Sequence, residues 1–200
     1  MNNRCGWCGT DPEYQQYHDT EWGVPCDNDH KHFEFLILES AQAGLSWLTI
    51  LRKRDGYRKA FANFDPVKVA KFDQAKIESL VENPAIVRNR KKIESAISNA
   101  QRYFEVKKEF GSFSAYLWSF YNGKPKQNRW KTLADVPATT PESDAISKDM
   151  KKRGFKFFGS TICYAYLQSL GFVNDHLISC PRHKDCAAIA KQFKPDHSNK

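Results

Sequence analysis

The chain has 200 residues, 40% hydrophobic and 14% aromatic, enough for one sizeable core or two small lobes and too apolar for a disordered segment. A mean hydropathy of −0.67 without a long uncharged apolar run excludes a membrane span. The start, MNNRCGWCGTDPEY, lacks the apolar stretch of a secretory signal, so the expected location is the cytoplasm, where six cysteines are thiols or metal ligands rather than a disulfide framework. Thirty-one basic residues against 23 acidic ones leave a net charge of +8, a sign that suits a polyanionic partner such as nucleic acid without requiring one.

Residues 1–29 have no steady period and read as an irregular arm with one short helical turn around Pro12–His18. Residues 31–53 are apolar on nearly every helical face, which predicts a buried helix. Asp65-Pro66 is a helix start, with a capping side chain and then proline at the first helical position. Asp73 caps a second short helix through Val81, and Pro84 ends it. Ile93, Ile97, Ala100 and Phe104 recur at helical spacing, predicting a long amphipathic helix that stops before Gly111. Ser112 caps another helix with Phe113 and Leu117 on its inner face.

Residues 122–140 read as a long loop broken by Gly123, Pro125 and Pro137, with a basic KPKQNRWK stretch. Ser143 opens a helix ending in Lys151, Lys152 and Arg153. Gly154-Phe-Lys-Phe-Phe-Gly159 separates it from a helix over Ser160–Leu170 that Gly171 closes. The tail over 181–200 is polar and expected to be loose. No alternating strand pattern stands out, so the fold class is all-α, with residues 1–180 as one unit of two closely packed lobes.

Three groups of residues carry chemistry. Cys5, His18, His176 and Cys180 offer two thiolates and two imidazoles, a set suited to a closed tetrahedral zinc site. The spacing of His176 and Cys180 places both on one helical face. Four protein ligands leave no position for water, so such a site is structural; the same residues also read as ordinary buried thiols and histidines. Cys8, His183 and Cys186 are further thiols and an imidazole within reach of the same pattern, and Cys5-x-x-Cys8 admits a redox role.

The Gly154–Gly159 segment is helix–hairpin–helix punctuation, whose second helix N-terminus can hold a phosphate; a plain αα-hairpin has the same look. Glu39 is a carboxylate on an otherwise apolar helix, with Tyr14, Tyr17, Trp22 and Trp47 as candidate stacking partners for a base. Pairing of Glu39 with an arginine or with backbone N–H groups is the bland alternative.

Cys5-Gly-Trp7, Tyr14-x-x-Tyr17-His18-Asp-x-Glu-Trp22-Gly, Leu38-Glu39, Gln42-Ala-Gly-Leu-Ser-Trp47, Lys152-Arg-Gly-Phe-Lys-Phe and Val173-Asn-Asp-His176 together resemble the DNA-3-methyladenine glycosylase I family. The resemblance runs from about residue 3 to Cys180. It implies a helix–hairpin–helix glycosylase fold and a monofunctional hydrolase that releases N3-methyladenine from alkylated double-stranded DNA. Free 3-methyladenine is then the product, one structural zinc ties the N- and C-terminal segments, and the protein works as a monomer.

Carried onto this sequence, the resemblance makes Cys5, His18, His176 and Cys180 the zinc ligands and Glu39 the base-recognising carboxylate. Tyr14, Tyr17, Trp22 and Trp47 become the base pocket and its neighbours, and Gly44 and Leu45 the residues that fill the gap left by a flipped nucleotide. Gly154, Lys156, Gly159 and Ser160 are the expected DNA-backbone contacts, with Lys152 and Arg153 beside them. Asn174 stands where many hairpin glycosylases have an aspartate, a departure this family shares. A non-catalytic DNA-binding module and a thiol-based sensor are the competing readings.

Overall fold

The computed structural model describes residues 3–195. Among them are eleven α-helices and two strands of two residues each. Helix α1 (Pro12–Thr20) starts where Asp11 accepts a hydrogen bond from the Tyr14 N–H and Pro12 takes the first turn. Helix α2 (Asp29–Gln42) is capped by Asn28, and every residue from His32 to Ala41 is buried, in keeping with a sequence apolar on all faces.

The single helix expected over 31–53 is in fact broken. The chain turns through Ala43–Ser46, where Gly44 adopts φ +79, a left-handed conformation that favours glycine. It resumes as α3 (Trp47–Arg52), capped by Ser46, and α4 (Arg54–Ala60). The next helices begin at the expected caps: α5 (Pro66–Val69) at Asp65, α6 (Gln74–Val81) at Asp73 and α8 (Phe113–Ser119) at Ser112. Between the last two, α7 (Arg90–Phe110) starts at Asn89 and stops before Gly111.

Helix α9 (Pro141–Lys152) begins earlier than Ser143. Thr140 is its cap, and Ser143 is the reciprocal partner in a capping box. Helix α10 (Ser160–Ser169) follows the hairpin. The expected loose tail is mostly a helix, α11 (Pro181–Gln192), because Pro181 sets its first turn and Cys186 packs into the protein; residues 196–200 lie outside the described ones.

Helix α2 lies at the centre and packs against α3, α7, α8 and α10. One continuous hydrophobic cluster extends from Tyr17 to Val173. Strands β1 (Lys126–Gln127) and β2 (Val173–Asn174) pair in parallel, Lys126 opposite Val173, and this ladder ties the 122–140 loop to the chain just before His176.

Gly171, at φ +65, fixes the arm on the other side. A Cβ there would lie 2.3 Å from the Val24 carbonyl carbon and the Pro25 nitrogen. With that close approach the arm bonds the end of α10, Gly23 N–H to Gln168 O and Cys26 N–H to Leu170 O. The N-terminal arm and the segment leading to His176 thereby meet beside α2 and α10. Among the described residues no helix is long and apolar enough to cross a membrane.

Candidate active site and metal cluster

A cavity of about 410 Å³ opens between α1, α2, α3, α10 and the 133–138 loop. It is lined by Tyr14, Tyr17, Trp22, Glu39 and Trp47, all five of the residues expected to form a base pocket. Tyr17 and Trp47 rings lie 5.4 Å apart, and Trp47 stacks on Phe35 at 5.8 Å. Behind Phe35 the Arg54 guanidinium sits 5.3 Å from the ring and pairs with Glu21 and Glu34, so this wall is held from the rear.

Glu39 is 1% exposed, and no ion pair reaches it among the described residues. One oxygen accepts from Ser169 Oγ at 2.8 Å, and Ser169 in turn accepts from the Tyr17 hydroxyl at 2.9 Å. The other oxygen, Oε2, is buried with no hydrogen-bond partner among the described residues. Burial pushes the Glu39 carboxyl up to about 8, and the Ser169 hydrogen bond only partly opposes this. The arginine pairing open on the sequence falls instead to Glu34 and Glu21, both bonded to Arg54.

Three more buried polar atoms of this lining lack a partner among the described residues: Trp7 Nε1, Gln42 Oε1 and Trp47 Nε1. Two indole donors, the Gln42 acceptor and the free oxygen of the Glu39 carboxyl thus converge on one aromatic cavity. Each unpaired buried group costs about 1–3 kcal/mol, so the arrangement suits a flat, polar-edged ligand rather than the fold.

Part of the lining carries no clear sequence signal. Trp7 belongs to its motif but drew no role, and Leu133, Val136, Pro137 and Ala138 form a wall from a loop with no period. Asp175 also lines the cavity, whereas Asn174 is turned to Gln127 and the His183 carbonyl. Asp175 accepts four hydrogen bonds, from Asn128, Trp130, Tyr164 and Gln168. These fill a carboxylate's acceptor positions and anchor the loop beside the cavity.

Cys5, His18, His176 and Cys180 come together as expected, all buried, with their ligand atoms within 4.8 Å of one another. Cys5 Sγ to His176 Nδ1 and Cys180 Sγ to His18 Nε2 are each 3.6 Å, and Cys180 Sγ to His176 Nδ1 is 3.8 Å. The edges of a zinc tetrahedron with sulfur and nitrogen ligands are roughly 3.3–3.8 Å, so the residues fit such an ion.

The outer ring nitrogens are held by oxygens: His18 Nδ1 by Asp19 at 2.8 Å and His176 Nε2 by the Trp22 carbonyl at 2.9 Å. Asp19 is itself paired with Arg4. Hydrogen bonding from Cys5, then from His176 and His18, favours the thiolate of Cys180, while Cys5 is pushed up by the same pairing and by burial.

One detail differs from expectation. His176 and Cys180 do not share a helical face but flank a turn, and Cys180 caps α11 because the residue before Pro181 avoids the helical region. The other candidate ligands stay out of the cluster. His183 bonds the Asn128 carbonyl, Cys8 Sγ donates to the Cys5 carbonyl, and Cys186 lies against Trp22 O. The cluster adjoins the cavity: the Trp22 ring stands edge-on to His176 at 4.7 Å, and Trp7 packs 5.2 Å from His18.

The hairpin is separate from this centre. Phe155 and Phe158 are buried, while Gly154, Lys156 and Gly159 are exposed and Ser160 half-buried. Asn99 clamps it, donating to Lys156 O and accepting from Lys156 N–H. Helix α10 has no side-chain cap, and a Cβ at Gly159 would meet nothing within 4 Å. Arg153 is committed elsewhere, paired with Glu109 and Asp149 over the Phe110 and Tyr116 rings. Gly44 and Leu45 sit on the exposed Ala43–Ser46 turn, with Leu45 41% exposed.

The methyladenine glycosylase family model matches residues 7–183. The chain is similar to DNA-3-methyladenine glycosylase 1 of Escherichia coli (strain K12), 49% identical over 177 residues that cover 88% of this chain and 95% of that one. It is 47% identical to DNA-3-methyladenine glycosylase of Haemophilus influenzae over 90% of this chain and 98% of the other. Its fold matches 3-methyladenine DNA glycosylase I from Staphylococcus aureus, a structure concerned with 3-methyladenine recognition. The TM-score is 0.87 at 41% identity, covering 90% of this chain and 96% of that one.

Proposed function

This chain belongs to the methyladenine glycosylase family, and on that premise we propose that it flips N3-methyladenine out of alkylated duplex DNA and releases the base by hydrolysis. The observation that carries the reading is the unpartnered Oε2 of Glu39 inside an aromatic cavity. Methylation at N3 gives adenine a positive charge. A buried carboxyl without a cation is a poor design for stability, and once ionised it is a good one for holding that base.

The chemistry asks little of acid catalysis. When the bond from C1′ to N9 breaks, the cationic base takes the electron pair and leaves neutral. Water adds to C1′ and gives its proton to solvent. No group has to protonate the leaving base, which agrees with Asn174 in place of an aspartate and with Asp175 saturated by four donors. Tyr17 and Trp47 stack on the base, Tyr14 and Trp22 close the pocket, and Glu39 favours the charged form over ordinary adenine. Gly44 and Leu45 occupy the gap in the duplex.

Docking is through the phosphate backbone. The uncapped start of α10, with Gly159 open to close approach, offers N–H groups to a phosphate, and Gly154, Lys156 and Ser160 flank it. Cys5, His18, His176 and Cys180 would hold one zinc ion, which supplies a cross-link between the chain ends and no chemistry at the base.

Chromatographic identification of the bases freed from methylated DNA tests the proposal. The expected product is 3-methyladenine, with the sugar–phosphate strand intact. Release of no base, or of an undamaged one in preference, would overturn it.

A further inference from the structure

Lys92 is a cation where the helix disfavours one. It lies in the first turn of α7, the positive end of the helix dipole, and that turn carries Arg90, Lys91 and Lys92 with no acid. Arg90 has a reason to be there, since it pairs with Glu78. Lys92 is half-buried, and burial pushes its amine below the usual lysine range. A residue that breaks a local rule twice is expected to serve something else.

Its Nζ reaches the far end of α2. It donates to Ala41 O at 2.7 Å and Ala43 O at 2.6 Å. These are carbonyls at the end of a helix, where intrahelical donors run out and the dipole is negative. The backbone does not cap them: the Leu45 N–H goes to Gln42 O at 2.6 Å instead. Lys92 is itself fixed, because its N–H is bonded by the Asn89 cap of α7. The very next residues after its acceptors are Gly44, at φ +79, and exposed Leu45.

We propose that Lys92 is a positioning residue for base extrusion, capping α2 so that the Ala43–Ser46 turn stays stiff while Leu45 fills the gap in the duplex. The inference rests on the reading of Leu45 as the gap-filling residue. A wedge must resist a stack that regains a few kcal/mol by closing, and a glycine-hinged turn would yield without a brace. Lys92 does not line the base cavity, so its effect should appear on duplex DNA and not on the free base.

The test uses the full chain and four variants: Lys92→Met, Lys92→Arg, Leu45→Gly and the Lys92→Met/Leu45→Gly pair. Three quantities are read: single-turnover release of 3-methyladenine from a methylated duplex, fluorescence of a 2-aminopurine beside the lesion, and affinity for free 3-methyladenine. Lys92→Met is expected to lose about tenfold in release, with a matching drop in the flipped-base signal, while free-base affinity stays within about twofold. Lys92→Arg should recover most of the loss. The pair should be no slower than its worse member, because both changes remove one device.

Parental release by Lys92→Met, a parallel fall in free-base affinity, or additive losses in the pair would overturn the inference. If Lys92→Met is too unstable to assay, Lys92→Gln, which keeps a neutral donor, is read by the same criteria. Parental release by Leu45→Gly would instead remove the gap-filling reading, and this inference with it.

Discussion

Glu39 holds its proton into the range where most carboxyls have long lost it. Folding raises it from 4.5 to about 8, so the folded state binds a proton that the unfolded chain has released. The stability from this group is fully present below pH 4.5 and is lost as pH rises through about 8. Glu39→Gln should remove that loss, and its Tm relative to the parent should rise between pH 5 and pH 9. Activity should run the opposite way. If the ionised carboxylate attracts the cationic base as proposed, kcat/KM should fall as pH drops below about 8, by up to about tenfold per unit, and the Gln variant should flatten this limb.

At this scale the sequence revealed Glu39, the aromatics and the four cluster residues, because a charge on an apolar helix and paired thiols and imidazoles stand out against their neighbours. Leu133 and Val136 did not, since a wall built from an aperiodic loop leaves no pattern to read.

Among the elements, the hairpin between α9 and α10 has the clearest consequence. A Cβ at Gly159 is unopposed in the free protein, and the residue has φ −70, so Gly159→Ala should keep the fold within about 1 kcal/mol. Close approach of a phosphate should nonetheless be blocked. Lys156→Ala should weaken binding to all duplex sequences alike and reduce the salt slope by about 0.9. Filter binding across a salt series checks both variants; parental affinity in each would remove the hairpin from the DNA interface. Arg153 is a poor probe of this interface, because its pairs with Glu109 and Asp149 make it part of the packing.

Helices with a capping residue or a clear period were legible, as α5 to α8 show. The break at Ala43–Ser46 was not, because α2 and α3 are both apolar and only Gly44 marks the turn. Strands of two residues carry no alternation, and α11 buries only Cys186, too little to show a face.

For the whole molecule, the cluster joins segments that are 162 residues apart or more, Cys180 to His18 and Cys5 to His176. A bound ion that favours only the folded state contributes about 4 kcal/mol at a thousandfold excess over its Kd. For a chain of this size, removing it should lower Tm by roughly 8–16 °C. Calorimetry before and after chelation, with zinc restored, measures this; an unchanged Tm would rule out a structural metal. The aromatic cavity shares Trp22 and Trp7 with the cluster's packing, so the fold and the proposed recognition have to be separated by experiment.

Glu39→Gln separates them. Its Tm at pH 7 and its single-turnover release of 3-methyladenine from methylated duplex should be measured on the same preparation. Loss of an acceptor to a charged group costs about 1.5–3 kcal/mol, a fall of roughly ten- to two-hundredfold in release. The predicted result is that fall with a Tm no lower than the parent's. A lowered Tm with release unchanged would contradict the account and make Glu39 a residue of the core alone.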